Sequence, residues 1–167
     1  SGNVNLSGTG SVGGTGVRVI AGSRSDVTVG SRITSASGNV GVSGTGLGTV
    51  GANDISTSDP IGVFYAGSSA ATEVLFQSGS GVVTIAGTGG DISNTIASGG
   101  SSHLPAAGVL ADGNATIQGG AGVSISGTGG SDGVMGGAAV FPLDDRDVIL
   151  VGNTVRSTNG QIVLTGL

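Results

Sequence analysis

The sequence of 167 residues contains no cysteine, no tryptophan and no lysine, and charged residues make up only 9% of it. Without cysteine and with a single histidine, a zinc site is excluded. The five basic residues stand against ten acidic ones, which gives a net charge of −5. Binding to nucleic-acid phosphates needs clustered Lys or Arg, and a membrane-spanning helix needs about 20 consecutive apolar residues. We therefore predict neither nucleic-acid binding nor membrane insertion.

Aromatic residues are equally scarce, at 2%, whereas glycine occupies 37 positions. Glycine does not recur at every third residue and proline numbers only three, which excludes a collagen triple helix. A hydrophobic share of 37% is too high for a disordered linker. Because so few large side chains can fill only a narrow core, the composition predicts many short apolar strands joined by glycine-rich turns.

One motif, apolar-x-apolar-small-Gly-Thr-Gly, recurs along the whole chain. Its copies start near positions 2, 38, 81, 121 and 160. The interval between copies is irregular but stays close to about 40 residues, within the range of repeat proteins. The period-two alternation places the two apolar residues of each copy on the same face of a strand. We predict that these residues form the structural core: Val4, Leu6, Val40, Val42, Val83, Ile85, Val123, Ile125, Ile162 and Leu164.

The Gly-Thr-Gly triplet that follows each apolar pair is predicted to end the strand, because glycine adopts positive φ without a Cβ penalty. Its threonines recur at one motif position, and we interpret them as a structural ladder of stacked side chains. The residues assigned to these structural turns are Gly8, Thr9, Gly10, Gly44, Thr45, Gly46, Gly87, Thr88, Gly89, Gly127, Thr128 and Gly129.

A single strand of this kind can neither bury its apolar side nor satisfy its backbone edge. Stacking equivalent strands of successive repeats solves both problems, so the sequence predicts an all-β parallel β-solenoid. It would be one segment, 1–167, with about four 40-residue repeats. One wide coil or two coils of about 20 residues per repeat both stay open. Two coils are favoured by three intervals of half a repeat, from Val17 to Val40, Val63 to Val83 and Val140 to Ile162, but not by the shorter interval from Val109 to Val123.

Repeats of the type GNVNLSGTG, GVRVIAG and GNVGVSGTG resemble the β-strand repeats of filamentous haemagglutinin-type and related giant bacterial adhesins. The resemblance covers the chain from Gly2 to Gly166 and rests on the sequence pattern of the repeats alone. It implies a right-handed parallel β-helix, export to the cell surface, and a role in attachment or as a stalk. Neither end shows the polar cap that a solenoid needs. The chain is therefore expected to be excised from a longer repetitive protein, or to stack end to end with copies of itself.

The most acidic cluster, Asp144, Asp145 and Asp147, is the one candidate for a metal site or for acid–base chemistry on a glycan. We interpret it as a solvated loop in which Arg146 neutralises its neighbours. The single histidine, His103, is interpreted as a surface-loop residue. No catalytic residue, metal or cofactor is therefore predicted, and the protein is not expected to be an enzyme.

These observations predict a non-catalytic structural or adhesive segment of a secreted or cell-surface bacterial protein, acting as a rigid stalk or filament unit. Its expected partners are adjacent repeats, copies of itself, and a receptor or glycan on a cell surface. A carbohydrate-binding β-helix, such as a tailspike-like fibre, is the alternative, and a polysaccharide lyase or hydrolase is a more remote one. One tyrosine and no tryptophan give sugar stacking little support.

Overall fold

The computed structural model describes residues 2–24, 27–48, 60–91, 107–130 and 148–166. These residues form twelve β-strands and a single turn of 3₁₀-helix at Ala70–Thr72. The predicted all-β class is confirmed. The strands are β1 Val4–Val12, β2 Val17–Arg24, β3 Val27–Val29, β4 Ser31–Ser35, β5 Val40–Leu47, β6 Val63–Gly67, β7 Val74–Ser78, β8 Val82–Thr88, β9 Val109–Gly119, β10 Gly122–Thr128, β11 Val148–Ser157 and β12 Ile162–Gly166.

The first sheet contains one strand from every copy of the repeated motif, in the order β1-β5-β8-β10-β12. All its neighbours are parallel and in register, so that equivalent motif positions lie side by side. The predicted parallel pairing of equivalent strands is therefore confirmed in this sheet. One register row that crosses the whole sheet consists of Val4, Val40, Val83, Val123 and Ile162.

The second sheet pairs the remaining strands of each repeat in the same parallel manner. Strand β2 pairs with β6 and β4 pairs with β7, and the long strand β9 pairs with β6 along its first half and with β7 along its second half. Strand β11 pairs with β9 along nearly its whole length. The short β3 is the exception, since it pairs antiparallel with the end of β2.

For the described part of the chain the interpretation of two coils per repeat is wrong, because parallel pairing joins strands that are one full repeat apart. Val17 pairs with Val63, and Val40 pairs with Val83; Val17 does not pair with Val40. The intervals from Val17 to Val40 and from Val63 to Val83 each join strands of different sheets, and Val140 lies outside the described residues. Each repeat contributes one strand to the first sheet, and every described strand of the second sheet except β3 pairs with a strand one full repeat away.

A single apolar cluster joins the two sheets, and six of the ten predicted core residues lie inside it. Because burial of each such side chain is worth about 1.5–3 kcal/mol, the cluster is a main source of stability. The second sheet adds its largest members, Tyr65 and Phe76, neither of which has any exposed surface. The buried predicted residues are Val40, Val42, Val83, Ile85, Val123 and Ile125.

Four predicted core residues are not fully buried. Val4 is half-buried and packs against the cluster, whereas Leu6, Ile162 and Leu164 are exposed by 38%, 47% and 55%. The prediction of burial is wrong for these three. Strands β1 and β12 are the outermost strands of the first sheet, so each has a neighbour on one side only. The side chains of Leu6, Ile162 and Leu164 lie in register with buried residues of the neighbouring strands, but among the described residues no further strand lies against them.

A second, smaller apolar cluster lies on the opposite face of the second sheet and has no counterpart in the sequence-based prediction. Phe64 and Leu110 are only 7% and 6% exposed, although they alternate with residues that face the main core. Ile61 and Ala107 complete this cluster. The guanidinium carbon of Arg18 lies 5.1 Å from the centre of the Phe64 ring, a cation–π contact at the margin of the cluster.

Candidate functional site: a hydroxyl groove on the first sheet

The Gly-Thr-Gly triplets are paired strand residues over most of their length. Strands β1 and β5 continue through their triplets, whereas β8 and β10 end at Thr88 and Thr128. The assignment of all four triplets to turns therefore needs correction, because parallel pairing extends to the threonine in every copy. Positive φ falls outside the triplets and occurs, among the described glycines, at Gly13, Gly113, Gly122 and Gly152.

The first glycine of three of the four triplets is required by the close approach of the second sheet. A Cβ atom built on Gly44 would overlap the carbonyl oxygen of Gly62, the residue just before β6. Gly8 has the same relation to Gly16, and Gly87 has it to Gly108. The carbonyl groups of Gly62 and Gly108 already accept hydrogen bonds from backbone amides of the repeat before. The glycine row is therefore the line along which the two sheets meet.

The outward face of the same strands carries rows of hydroxyl groups. Threonine pairs with threonine across four strands, and the row two residues earlier contains serine in three of the four. Neighbouring strands are about 4.8 Å apart and alternate residues of a strand about 6.7 Å apart, so the hydroxyls form a regular grid. They line an open groove of about 410 Å³ whose polar side chains are Ser7, Thr9, Ser43, Thr45, Thr88, Ser126 and Thr128.

The groove offers hydrogen-bond donors and acceptors, and the described residues that line it include no general base. Its lining consists only of Ser, Thr, Gly and Ala residues. A serine or threonine becomes a nucleophile only beside a general base, and no carboxylate or imidazole of the described residues lines this groove. Its hydroxyls can therefore donate and accept hydrogen bonds, with their positions fixed by the register of the strands beneath them.

The candidate acidic cluster, Asp144, Asp145 and Asp147, lies outside the described residues, as do Arg146 and His103. Within the described ranges, no three His, Cys, Asp or Glu residues come together in a way that could hold a metal ion. The hydroxyl groove is thus the candidate site for which the structure gives a geometry.

Two serines at the ends of strands β4 and β7 join the first repeat to the second and the second repeat to the third through hydrogen bonds. The Ser35 hydroxyl donates to the carbonyl of Gly2 at 2.8 Å and accepts from the amide of Gly38 at 2.9 Å. The Ser78 hydroxyl likewise donates to the carbonyl of Gly38 and accepts from the amide of Gly81, both at 2.7 Å. These serine hydrogen bonds were not predicted from the sequence. Their signal, a serine three residues before the glycine that begins the next motif copy, is nevertheless visible in the sequence at Ser35 and Ser78.

Replacing Ser78 by alanine is expected to lower the free energy of unfolding by about 1–3 kcal/mol. The side chain is only 1% exposed, so the amide of Gly81 and the carbonyl of Gly38 would lose a partner at a site with little access to water. Urea denaturation followed by circular dichroism measures the change. The control is Ser80→Ala, which removes one exposed hydrogen bond of 3.1 Å and is expected to change stability by less than about 0.5 kcal/mol. Equal losses of stability in the two variants would contradict the stabilising role of the Ser78 hydrogen bonds.

Tyr65, the only tyrosine, is a polar side chain inside the main core. Its ring is edge-on to Phe76, with 5.2 Å between the ring centres. Among the described residues its hydroxyl has no hydrogen-bond partner. Burial raises the pKa of the hydroxyl far above its usual value, because the charged form would be desolvated.

We expect Tyr65→Phe to raise the free energy of unfolding by about 1 kcal/mol, since it keeps the ring contact and removes a buried hydroxyl without a partner. The raised pKa also means that the parent chain loses stability as pH rises above about 10, the value for an unfolded tyrosine, and the variant lacks this loss. Thermal unfolding at pH 7 and above pH 10 measures both effects. A variant that is less stable at both pH values would show that the hydroxyl makes a stabilising contact.

Comparison of the chain with protein-family models, with curated proteins and with solved structures yields no match. The functional proposal therefore rests on the strand pairing and the side chains of this chain alone. Within the described part of the chain, no helix has the length and apolar character needed to cross a membrane.

Proposed function

We propose that the chain is a non-catalytic structural segment of a secreted or cell-surface bacterial protein, folded as a right-handed parallel β-helix and acting as a rigid stalk or filament unit. The observation that carries the proposal is the residue-for-residue parallel pairing of equivalent strands through all five motif copies of the first sheet. The sequence resemblance to adhesin repeats points in the same direction. Attachment to a receptor or glycan on a cell surface belongs to the same proposal.

Rigidity follows from the way neighbouring repeats are joined. Each repeat shares ladders of backbone hydrogen bonds with the next in both sheets, and their apolar side chains belong to one core. A repeat therefore cannot tilt against its neighbour without breaking several hydrogen bonds and opening the core at once. Such an assembly keeps its shape along the stacking direction, which is the property that a stalk requires.

Hydrogen exchange and a glycan assay test this proposal together. Amide protons of β5, β8 and β10 are expected to exchange at similarly slow rates, because no repeat opens independently of its neighbours. Incubation with neutral and acidic polysaccharides is expected to release no new reducing ends and no unsaturated sugars. Fast exchange of one central repeat would contradict the rigid stalk, and catalytic release of sugars would contradict the non-catalytic role.

A second candidate, carbohydrate binding without cleavage, is favoured by the hydroxyl groove. A sugar presents hydroxyls at fixed spacings, and the groove offers donors and acceptors on a regular grid. A glycan array tests this candidate, with Thr45→Val as the groove variant and Thr34→Val as its match. Both threonines are exposed, but Thr34 lies on β4 in the second sheet. Binding that is lost in Thr45→Val and retained in Thr34→Val would establish the groove as the binding site. If the parent chain bound no glycan on the array, the candidate function of carbohydrate binding would be contradicted.

A further inference from the structure

The long axis of the hydroxyl groove runs across the strands of the first sheet, in the direction in which the repeats stack. Four strands contribute to its lining, β1, β5, β8 and β10, whereas along each strand it covers only two outward-facing positions. Three strand steps of about 4.8 Å make it about 14 Å long, and one step of about 6.7 Å between alternate residues sets its width. A ligand that fills the groove is therefore long and narrow.

The groove presents nearly the same chemistry at every step along this axis. One row consists of the four motif threonines, and the other consists of three serines and Ala86. Because the pairing is parallel and in register, a shift by one strand brings each threonine onto the position of the next. Such a surface is matched by a ligand whose own groups repeat at the same step, which is the property of a linear polymer.

The strand step is close to the length of one sugar unit in an extended glycan. Neighbouring strands lie about 4.8 Å apart, and a pyranose ring linked through equatorial bonds occupies nearly the same length of chain. Successive sugar units can therefore meet successive strands of the groove. Each hydroxyl of the lining both donates and accepts, so it can bond a sugar hydroxyl in either sense. A coiled glycan would leave this straight line of hydroxyls after a short distance.

The lining favours a ligand without charge. None of the described residues that line the groove is charged, and the whole chain carries a net charge of −5. An acidic glycan would lose hydration of its anionic groups without gaining a cation, and the net charge of the chain would repel it. The same residues include no aromatic ring on which a sugar could stack. Hydrogen bonds must therefore supply the affinity, so that several sugar units have to bind together.

We propose that the groove binds a neutral, linear glycan of extended, equatorially linked sugar units, which lies along the stacking direction with one unit opposite each strand. This inference rests on the second candidate function, carbohydrate binding without cleavage, and names its ligand class. Because four strands line the groove, four sugar units fill it.

Titration of the isotopically labelled chain with cello-oligosaccharides and β-linked manno-oligosaccharides of increasing length tests the inference. The amide shifts in nuclear magnetic resonance spectra give both the affinity and the site. The affinity is expected to rise about 2- to 10-fold with each added unit, the factor for one net hydrogen bond, and to level off beyond four units. The amides that respond most are expected to be those of the groove glycines Gly8, Gly44, Gly87 and Gly127.

Two further series of oligosaccharides serve as matched controls. Malto-oligosaccharides consist of the same glucose units as cello-oligosaccharides but form a coiled chain. Mannuronate oligosaccharides share the linkage of the manno-oligosaccharides but carry a carboxylate on every unit. At a length of four units, each control is expected to bind about tenfold or more weakly than its neutral, extended counterpart.

Thr88→Val and Thr84→Val distinguish the groove from the rest of the same strand. Both threonines are exposed on β8, but only Thr88 lines the groove. Thr88→Val keeps the shape of the side chain and removes its hydroxyl, so it is expected to weaken binding of the four-unit ligand by about 2- to 10-fold. Thr84→Val is expected to bind like the parent chain. Urea midpoints of both variants show that they are folded before binding is measured.

The inference would be overturned if neither neutral series bound, or if affinity did not depend on length. It would also be overturned if a control series bound as tightly as its counterpart, or if the two threonine variants bound equally well. Loss of binding of a short, branched or acidic glycan in Thr45→Val alone would leave carbohydrate binding by the groove standing and would contradict only the ligand class proposed here. The rigid stalk is decided separately, by the exchange rates of the central repeats.

Discussion

A Gly44→Ala substitution is expected to lower the free energy of unfolding by about 3 kcal/mol or more, at the upper end of the cost of overpacking. The new Cβ would overlap the carbonyl oxygen of Gly62 and would lie 3.0 Å from the amide nitrogen of Val17. Both contacts are with backbone, which cannot rotate away as a side chain can. Because β5 is paired on both sides, any shift must also disturb its ladders with β1 and β8. Urea denaturation measures the loss.

The matched control for this substitution is Gly22→Ala. A Cβ at Gly22 meets no heavy atom within 4 Å, and its φ is not positive. The expected change is within about 0.5 kcal/mol, and its sign is expected to favour the variant because alanine restricts the unfolded chain more than glycine does. If Gly44→Ala were tolerated as well as Gly22→Ala, the close approach of the two sheets along the glycine row would be contradicted.

The second large effect is expected for Phe76→Ala, which should lower the free energy of unfolding by about 3–5 kcal/mol. Phe76 has no exposed surface, and its ring packs edge-on against Tyr65. It pairs with Ile33 on one side and Ile117 on the other. Thermal and urea unfolding measure the change.

The control for Phe76 is Leu47→Ala, which also truncates a large apolar side chain. Leu47 lies at the end of β5 and is 39% exposed, so its loss is expected to cost at most about 1 kcal/mol. A Phe76→Ala variant that is destabilised no more than Leu47→Ala would show that the second sheet does not contribute to the main core in the way described.

The strands of the first sheet could be predicted because the pattern that identifies their inward-facing residues lies within a few consecutive residues. Within one motif copy, period-two alternation identifies Val40 and Val42 as the inward residues, and repetition of the motif identifies their partners Val83 and Ile85. These four residues are buried and pair in register. The limit of such reasoning is the edge of the sheet: alternation sets the direction of the Leu164 side chain, but its burial depends on a neighbouring strand that the motif itself does not supply.

The second sheet and the glycine row were not predictable in the same way. Whether the strand of Val17 stacks on that of Val40 or on that of Val63 depends on where the chain turns between sheets, and spacing alone does not report this. The role of Gly44 depends on the carbonyl group of Gly62, which immediately precedes a strand of the other sheet. In both cases the deciding contact is made by backbone atoms from a distant part of the sequence, so no local pattern reveals it.

The central claim is that each strand pairs in parallel with its equivalent one full repeat away. Nuclear Overhauser contacts between backbone protons of isotopically labelled protein test it directly. The expected contacts link the neighbourhood of Val40 with that of Val83, Val42 with Ile85, and Val19 with Tyr65. Contacts that instead pair Val17 with Val40, half a repeat apart, or close α-proton pairs typical of antiparallel strands within the first sheet, would contradict it.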